Sequence, residues 1–197
     1  MENQLLRLIF ATNNQHKVEE IKGVIGSQFN VVALLEAGIS VDIPEPHNTL
    51  EANATEKSTT IHKMTHENVF SEDTGLEVES LNGKPGVKSA RYAGEGRDFQ
   101  ANIDKLLERL EGEKNRSAQF KTVVSLILNN KEYLFDGICK GQIITKQKGL
   151  KGFGYDPVFM PTGSNKTFAE MTMQEKNEFS HRKKATDKLI AFLQNNM

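Results

Sequence analysis

Cysteine, tryptophan and net charge are all scarce in this chain of 197 residues. The single Cys139 excludes an internal disulfide and any zinc or iron–sulfur site built on several cysteines. A lone thiol of this kind reads as a small buried apolar side chain. Lys and Arg number 25 against 26 Asp and Glu, a formal net charge of −1. No global basic field exists, which argues against a nucleic-acid-binding or polybasic membrane protein. A small anionic substrate stays open, because a pocket needs only a few local cations. Apolar runs such as Val31 to Leu35 are too short to cross a bilayer. Met1 to Arg7 lacks the basic-then-apolar pattern of a signal peptide. The expected setting is the reducing cytoplasm.

What is present fits a folded globular chain: 37% of residues are hydrophobic and 26% charged. There is no internal repeat, low-complexity segment or linker, so 1–197 is expected to form one domain with its own core. Leu5 to Ala11 is a buried strand that stops at Thr12-Asn13-Asn14. Val18, Ile21, Val24 and Ile25 then recur at helical spacing and Gly26 ends the helix. Val31 to Leu35 reads as a strand, Leu50 to Met64 as a helix, and Val69-Phe70 as a strand running into Ser71-Glu72-Asp73-Thr74-Gly75. Asp98 caps a helix striped with Ile103, Leu106, Leu107 and Leu110. Phe120 to Leu128 and Tyr133 to Ile144 look like a hairpin. Lys148 to Phe168 is loop-rich, and one last helix follows with Phe179 early and Leu193 late. The order predicts α/β with a mixed sheet.

Five constellations carry chemistry. Thr12-Asn13-Asn14-Gln15-His16-Lys17 lies where the first strand gives way to the first helix. Backbone N–H groups there, the helix dipole and Lys17 all favour an anion; taken alone, the segment reads more simply as an Asn cap with a solvated Lys. Glu72 and Asp73 are adjacent carboxylates. Strand alternation sends them to opposite sides; at a bend both reach one hard cation, and a turn with solvated acids is the plain alternative. Glu45 sits in a proline-flanked loop, before Asn53 and Lys57 on one helix face. It offers a further metal ligand and Lys57 a further phosphate contact, against ordinary helix surface. Gly152-Phe153-Gly154-Tyr155-Asp156-Pro157 allows close backbone approach and a ring for stacking, or is simply a tight aromatic turn. Lys176 with Ser180-His181-Arg182 supplies donors for a purine carbonyl, or a solvated basic face. His62 and His66, four apart, lack a third metal ligand and read as surface residues along with His16 and His47.

Taken in order, these segments resemble the inosine/xanthosine triphosphate pyrophosphatase family, the HAM1-like house-cleaning nucleotide hydrolases. The matching pieces are Phe10-Ala11-Thr12-Asn13-Asn14 with Lys17, Asn53-Ala54 with Lys57, Glu72-Asp73-Thr74-Gly75-Leu76, and Pro85-Gly86 with Ser89-Ala90-Arg91-Tyr92. Gly152 to Pro157, and Lys176 with Ser180-His181-Arg182, complete the series. Glu72-Asp73-Thr74 stands where the bacterial form carries Asp-Asp-Ser, and Asn13 where it carries Gly.

The resemblance implies an elongated α/β fold of two lobes around a long mixed sheet with flanking helices, the active site in the cleft, and a homodimer. It implies Mg²⁺-dependent hydrolysis of noncanonical purine nucleoside triphosphates (ITP, dITP, XTP) to the monophosphate and pyrophosphate. Thr12, Asn13, Asn14, Gln15, His16 and Lys17 would hold the triphosphate, helped by Lys57. Asp73 would be the general base, and Glu45, Glu72 and Asp73 would organise Mg²⁺. Thr74 would contact the substrate, while Phe153, Gly154, Tyr155, Asp156, Lys176, His181 and Arg182 would form the base pocket. Donors such as His181 and Arg182 would favour the 6-oxo group over the amino group of ATP, since an unpaired buried donor costs about 1–3 kcal/mol. Two other readings are a phosphohydrolase of different base preference and a nucleotide-binding regulator without turnover.

Overall fold

The computed structural model describes residues 5–196. Part of the Met1 to Arg7 segment, which lacks a signal-peptide pattern, lies outside the described residues. In chain order the elements are β1 (Arg7–Phe10), α1 (Gln15–Ile25), β2 (Asn30–Ala33), α2 (Leu50–Thr65), β3 (Val69–Val78) and β4 (Lys84–Gly86). Then follow α3 (Phe99–Arg109), β5 (Ser117–Leu128), β6 (Lys131–Ile143), β7 (Phe159–Pro161), α4 (Met173–Phe179) and α5 (His181–Asn195). The strand order is β2-β1-β3-β5-β6-β7, with β4 also paired to β3. β1 runs parallel to β2 and β3, with Phe10 opposite Ala33 and Phe70. β4 and β7 run antiparallel to β3 and β6. The sheet is therefore mixed, as the element order predicts.

Local chemistry explains most boundaries. Leu8, Ile9 and Phe10 are all fully buried, which is why β1 reads as a continuous apolar run with no alternation. The Asn14 side chain accepts the Lys17 N–H to open α1, and Gly26, at φ 60°, closes it. Thr49 caps α2 through the Ala52 N–H, and Asp98 caps α3 through the Ala101 N–H. Asn129 and Asn130, at φ 51° and 62°, supply the left-handed pair that a two-residue hairpin needs between β5 and β6.

Three features differ from the sequence expectation. β3 does not end near Phe70 but spans ten residues, Val69–Val78, carrying Glu72, Asp73, Thr74 and Gly75 within it. The single C-terminal helix is two: Ser180, at φ −53° and ψ 123°, leaves the helical region and separates α4 from α5. A Thr172–Glu175 capping box starts α4, so this short helix has its own nucleus. The loop-rich stretch also holds β7, whose three residues are too few to show a period.

The fold divides into two compact units. One takes the chain up to Asp73, Thr122–Gly137 and the chain from Arg182 onward. Its core joins Phe10, Ile21, Phe70, Leu126 and Leu189, with Phe10 and Phe70 stacked at 4.5 Å. Ile9, Leu34, Ile61 and Val69 form a separate cluster in the same unit. The other unit takes Thr74–Lys121 and Ile138–His181, with Leu76, Leu106, Phe120, Phe159 and Phe168 at its core. No described helix is long and apolar enough to cross a membrane.

Candidate active site

The extension of β3 decides the geometry of the two adjacent carboxylates. Successive strand side chains point to opposite faces, and Glu72 and Asp73 meet different partners accordingly. Glu72 receives Lys17 Nζ at 2.9 Å and Arg182 Nε at 2.9 Å, and its side chain is 0% exposed. Arg182 Nη1 in turn pairs with Glu20. Two cations and two carboxylates thus form a buried set joining α1, β3 and α5. Burial opposes the charge on Glu72, but Arg182 and Lys17 outweigh it and hold the carboxyl well below its ordinary range.

Asp73 faces a second set. Its Oδ1 accepts from Lys57 Nζ at 3.1 Å and its Oδ2 from Asn53 Nδ2 at 3.3 Å. Lys57 Nζ also reaches Glu45 Oε1 at 2.7 Å, so the proline-flanked loop and α2 converge on β3. Burial raises the Asp73 pKa, Lys57 and Lys17 pull it down, Glu45 pushes it up, and the net shift is upward. Burial works against the Lys57 charge, but Asp73 and Glu45 prevail and its pKa is raised. A buried carboxylate of raised pKa beside a fixed cation has the character of a general base.

Enzymes that act on nucleotide phosphates commonly use a divalent metal. Glu45 and Asp73 fit one: they are hard oxygen donors that already converge on a single cation, the Lys57 ammonium. Glu72 belongs to the Lys17–Arg182 set. No group of three or more His, Cys, Asp or Glu stands ready for a metal among the described residues.

The triphosphate-binding candidates lie at the start of α1. Thr12 Oγ1 accepts the Asn14 N–H at 3.2 Å, and Asn13 Nδ2 donates to the Val41 carbonyl at 2.8 Å. Gln15 and His16 are exposed, and the first turn of α1 holds no acidic residue. The dipole end is therefore open to an anion.

The glycine-rich turn belongs to the second unit. Gly152, at φ 74°, has no room for a Cβ because Asp156 Oδ2 lies against it. That oxygen accepts the Phe153 N–H at 3.0 Å and Lys176 Nζ at 2.7 Å. Lys176 Nζ also lies 5.5 Å from the Phe153 ring centre, which leaves Phe153 half-buried on a braced turn. Tyr155 is buried and donates its hydroxyl to the Ser89 carbonyl at 2.9 Å. Burial drives its pKa upward. The His181 ring lies flat on Phe120, 4.6 Å between centres. Of the base-pocket candidates, Phe153, Gly154, Tyr155, Asp156, Lys176 and His181 fall in this unit and Arg182 in the other. Thr74 is half-buried in β3.

A sequence model of the Ham1 family matches residues 8–192. The chain belongs to the Ham1 family. The dITP/XTP pyrophosphatase of Flavobacterium psychrophilum is 48% identical over 190 residues, covering 96% of this chain and 100% of that protein. That of Porphyromonas gingivalis is 46% identical over 188 residues, covering 95% and 97%. The solved structure of the Staphylococcus aureus Ham1 protein matches with a TM-score of 0.88 at 38% identity, over 97% of this chain and 100% of that one.

Other motif residues of this Ham1 chain brace the backbone. Ser89 Oγ accepts the Leu76 N–H at 2.8 Å and donates to the Gly86 carbonyl at 2.6 Å. A Cβ at Gly75 would meet the Gly86 carbonyl at 2.8 Å, so β3 and β4 approach too closely for any side chain there. His62 ties α2 to the Glu67 carbonyl and Asn130, and His16, His47 and His66 are exposed. Cys139 is buried.

Sequence reading missed Glu20 and gave Asn53 no role. The signal for Glu20 was available: it lies one turn beyond Lys17, beside the buried Ile21, on a helix face that excludes an unpaired charge. Asn53 carried a weaker signal, a polar residue four before Lys57 beside the buried Ala54.

Proposed function

We propose that this chain is a Mg²⁺-dependent pyrophosphatase of noncanonical purine nucleoside triphosphates, with dITP, ITP and XTP as substrates. The observation that carries the reading is the buried Asp73 of raised pKa, set against Lys57 and Glu45 in a chain 48% identical to a dITP/XTP pyrophosphatase.

In this reading Asp73 takes a proton from the attacking water. The water oxygen bonds to the α-phosphorus, the bond from that phosphorus to the bridging oxygen breaks, and pyrophosphate leaves with the electron pair. Lys17 and the N–H groups at the start of α1 counter the charge that gathers on the leaving group. Lys57 keeps Asp73 ionised and oriented. Glu45 and Asp73 would hold Mg²⁺, which supplies charge neutralisation to the phosphates when bound. Phe153 offers a stacking face to the base, and Asp156 with Lys176 fixes that face. The resemblance also supports a homodimer working in the cytoplasm.

The test is a product assay with Mg²⁺ and ITP, dITP, XTP, GTP, ATP and dTTP in parallel, scoring pyrophosphate against phosphate. Pyrophosphate from ITP, dITP and XTP, with little from ATP or GTP, is the expected result. Phosphate alone overturns the mechanism, preferential dTTP turnover overturns the base assignment, and binding without product makes the chain a nucleotide-binding regulator.

A further inference from the structure

Asn53 is 0% exposed and makes three side-chain hydrogen bonds to two different parts of the site. Its Oδ1 accepts the His47 N–H at 2.9 Å, and its Nδ2 donates to the His47 carbonyl at 3.2 Å. This pair copies a backbone ladder: both peptide groups of one loop residue are satisfied by one amide. The same Nδ2 donates to Asp73 Oδ2 at 3.3 Å. His47 lies two residues after Glu45 in a loop otherwise stiffened by Pro44 and Pro46. One buried amide therefore links the loop carrying Glu45 to the strand carrying Asp73.

We infer that Asn53 is a positioning residue of the reaction: it sets the Glu45 loop and Asp73 in register with each other. The inference rests on the pyrophosphatase reading and on Glu45 and Asp73 as the carboxylates that hold the divalent cation. The chemistry favours an amide over any other side chain of this size. A carboxylate has no N–H for Asp73 and adds a negative charge beside it; an aliphatic chain leaves the His47 peptide groups without the partners that tie the loop to α2. Lys57 cannot take over this role, because its ammonium already bridges Glu45 and Asp73 from one side and touches no backbone of the loop in these contacts.

The experiment compares the full-length wild type with Asn53→Ala, Asn53→Asp and Ser58→Ala. Ser58 lies on the same helix, is equally buried and bonds Ser125, so its loss reports on α2 stability alone. Two quantities are read: the Mg²⁺ concentration giving half-maximal XTP turnover, and Mn²⁺ binding followed by loss of the free-ion paramagnetic resonance signal. The half-saturating Mg²⁺ should rise about tenfold or more in both Asn53 variants, as for other residues that orient metal-holding carboxylates. Mn²⁺ binding should weaken in parallel, and Ser58→Ala should leave both unchanged. A fall in folded fraction lowers turnover without moving a half-saturation point, so it does not imitate this result. Asn53→Asp keeps the volume and the acceptor for the His47 N–H, and serves if Asn53→Ala does not fold. Wild-type turnover of XTP with unshifted Mg²⁺ and Mn²⁺ dependence in the Asn53 variants overturns the inference. Absence of XTP turnover in the wild type overturns the functional reading instead.

Discussion

Glu72 and Asp73 are consecutive residues of β3, and each is fixed by a different lysine: Glu72 by Lys17 at 2.9 Å, Asp73 by Lys57 at 3.1 Å. The alternation of the strand separates two carboxylates that a bend would have brought together. Their protonation tendencies separate too, with Glu72 held low and Asp73 raised. Under the proposed reading, adjacent positions thereby supply an anchor that favours its ionised form and a candidate proton acceptor.

The proton acceptor is tested by Asp73→Asn. The amide keeps the volume and, with its oxygen toward Lys57, keeps that hydrogen bond; only the bond accepted from Asn53 Nδ2 is lost, so the fold should survive. General-base assistance is worth about 10²–10⁴-fold. Pyrophosphate release from XTP should fall by that factor while binding of XTP, measured by calorimetry, persists. Near-normal kcat would remove Asp73 from the role.

The anchor is a matter of stability. Removing one partner of a buried ion set leaves the others uncompensated, at a cost of about 3–5 kcal/mol. Glu72→Ala and Arg182→Ala should both lower the melting temperature strongly, and base selectivity should change less than stability in Arg182→Ala. The sign with pH follows from the depressed Glu72 carboxyl. Its contribution is fully present above the unfolded value of about 4.3 and is lost as pH falls below it toward the lower folded value. The melting temperature of Glu72→Gln should therefore decline less steeply on acidification than that of the wild type.

Much of this was legible because local signals and burial agree. The run from Leu8 to Ala11, the Asn14 cap and the Gly26 stop are short-range chemistry, and β1 and α1 follow from them. The length of β3 was not legible, because Glu72, Asp73 and Gly75 are poor strand formers by propensity. The far end of the strand is held by pairing that no local pattern encodes: Leu76 to Val78 lie opposite Gly86 to Lys84 of β4. The break at Ser180 was hidden because Phe179 and Ile190, eleven residues apart, fall on one stripe of an uninterrupted helix. Lys17, Lys57, Glu45, Glu72 and Asp73 announced themselves as site candidates, but which of them pair with one another did not. Arg182 reaches Glu20 across 162 residues of chain, a separation no local pattern encodes.

The raised Asp73 pKa also predicts the acid limb of the rate profile. As a base it must be ionised, so kcat/KM should fall as pH drops through a value above the ordinary 3.8 of an aspartate. Lys57 and Glu45 push that value in opposite directions. Lys57→Met should move the acid limb to higher pH and Glu45→Gln to lower pH, as read from pyrophosphate release across the acid range. Parallel movement of both would contradict the electrostatic origin of the shift.

Phe153 is the test of base recognition. Its ring is half-buried on a turn whose own N–H is held by Asp156, and Lys176 is packed beneath both. Such bracing leaves one aromatic surface rigid at little further entropic cost on binding. A stacked base is worth roughly 1–3 kcal/mol, or about 5- to 150-fold in affinity. Phe153→Ala should raise KM for XTP within that range and leave inhibition by inorganic tripolyphosphate, which has no base, unchanged. Phe153→Tyr should restore most of the loss, because it returns the ring. Equal weakening toward XTP and tripolyphosphate would instead mean that Phe153 supports the turn alone, since only a ring in contact with the base distinguishes a nucleotide from its phosphate chain.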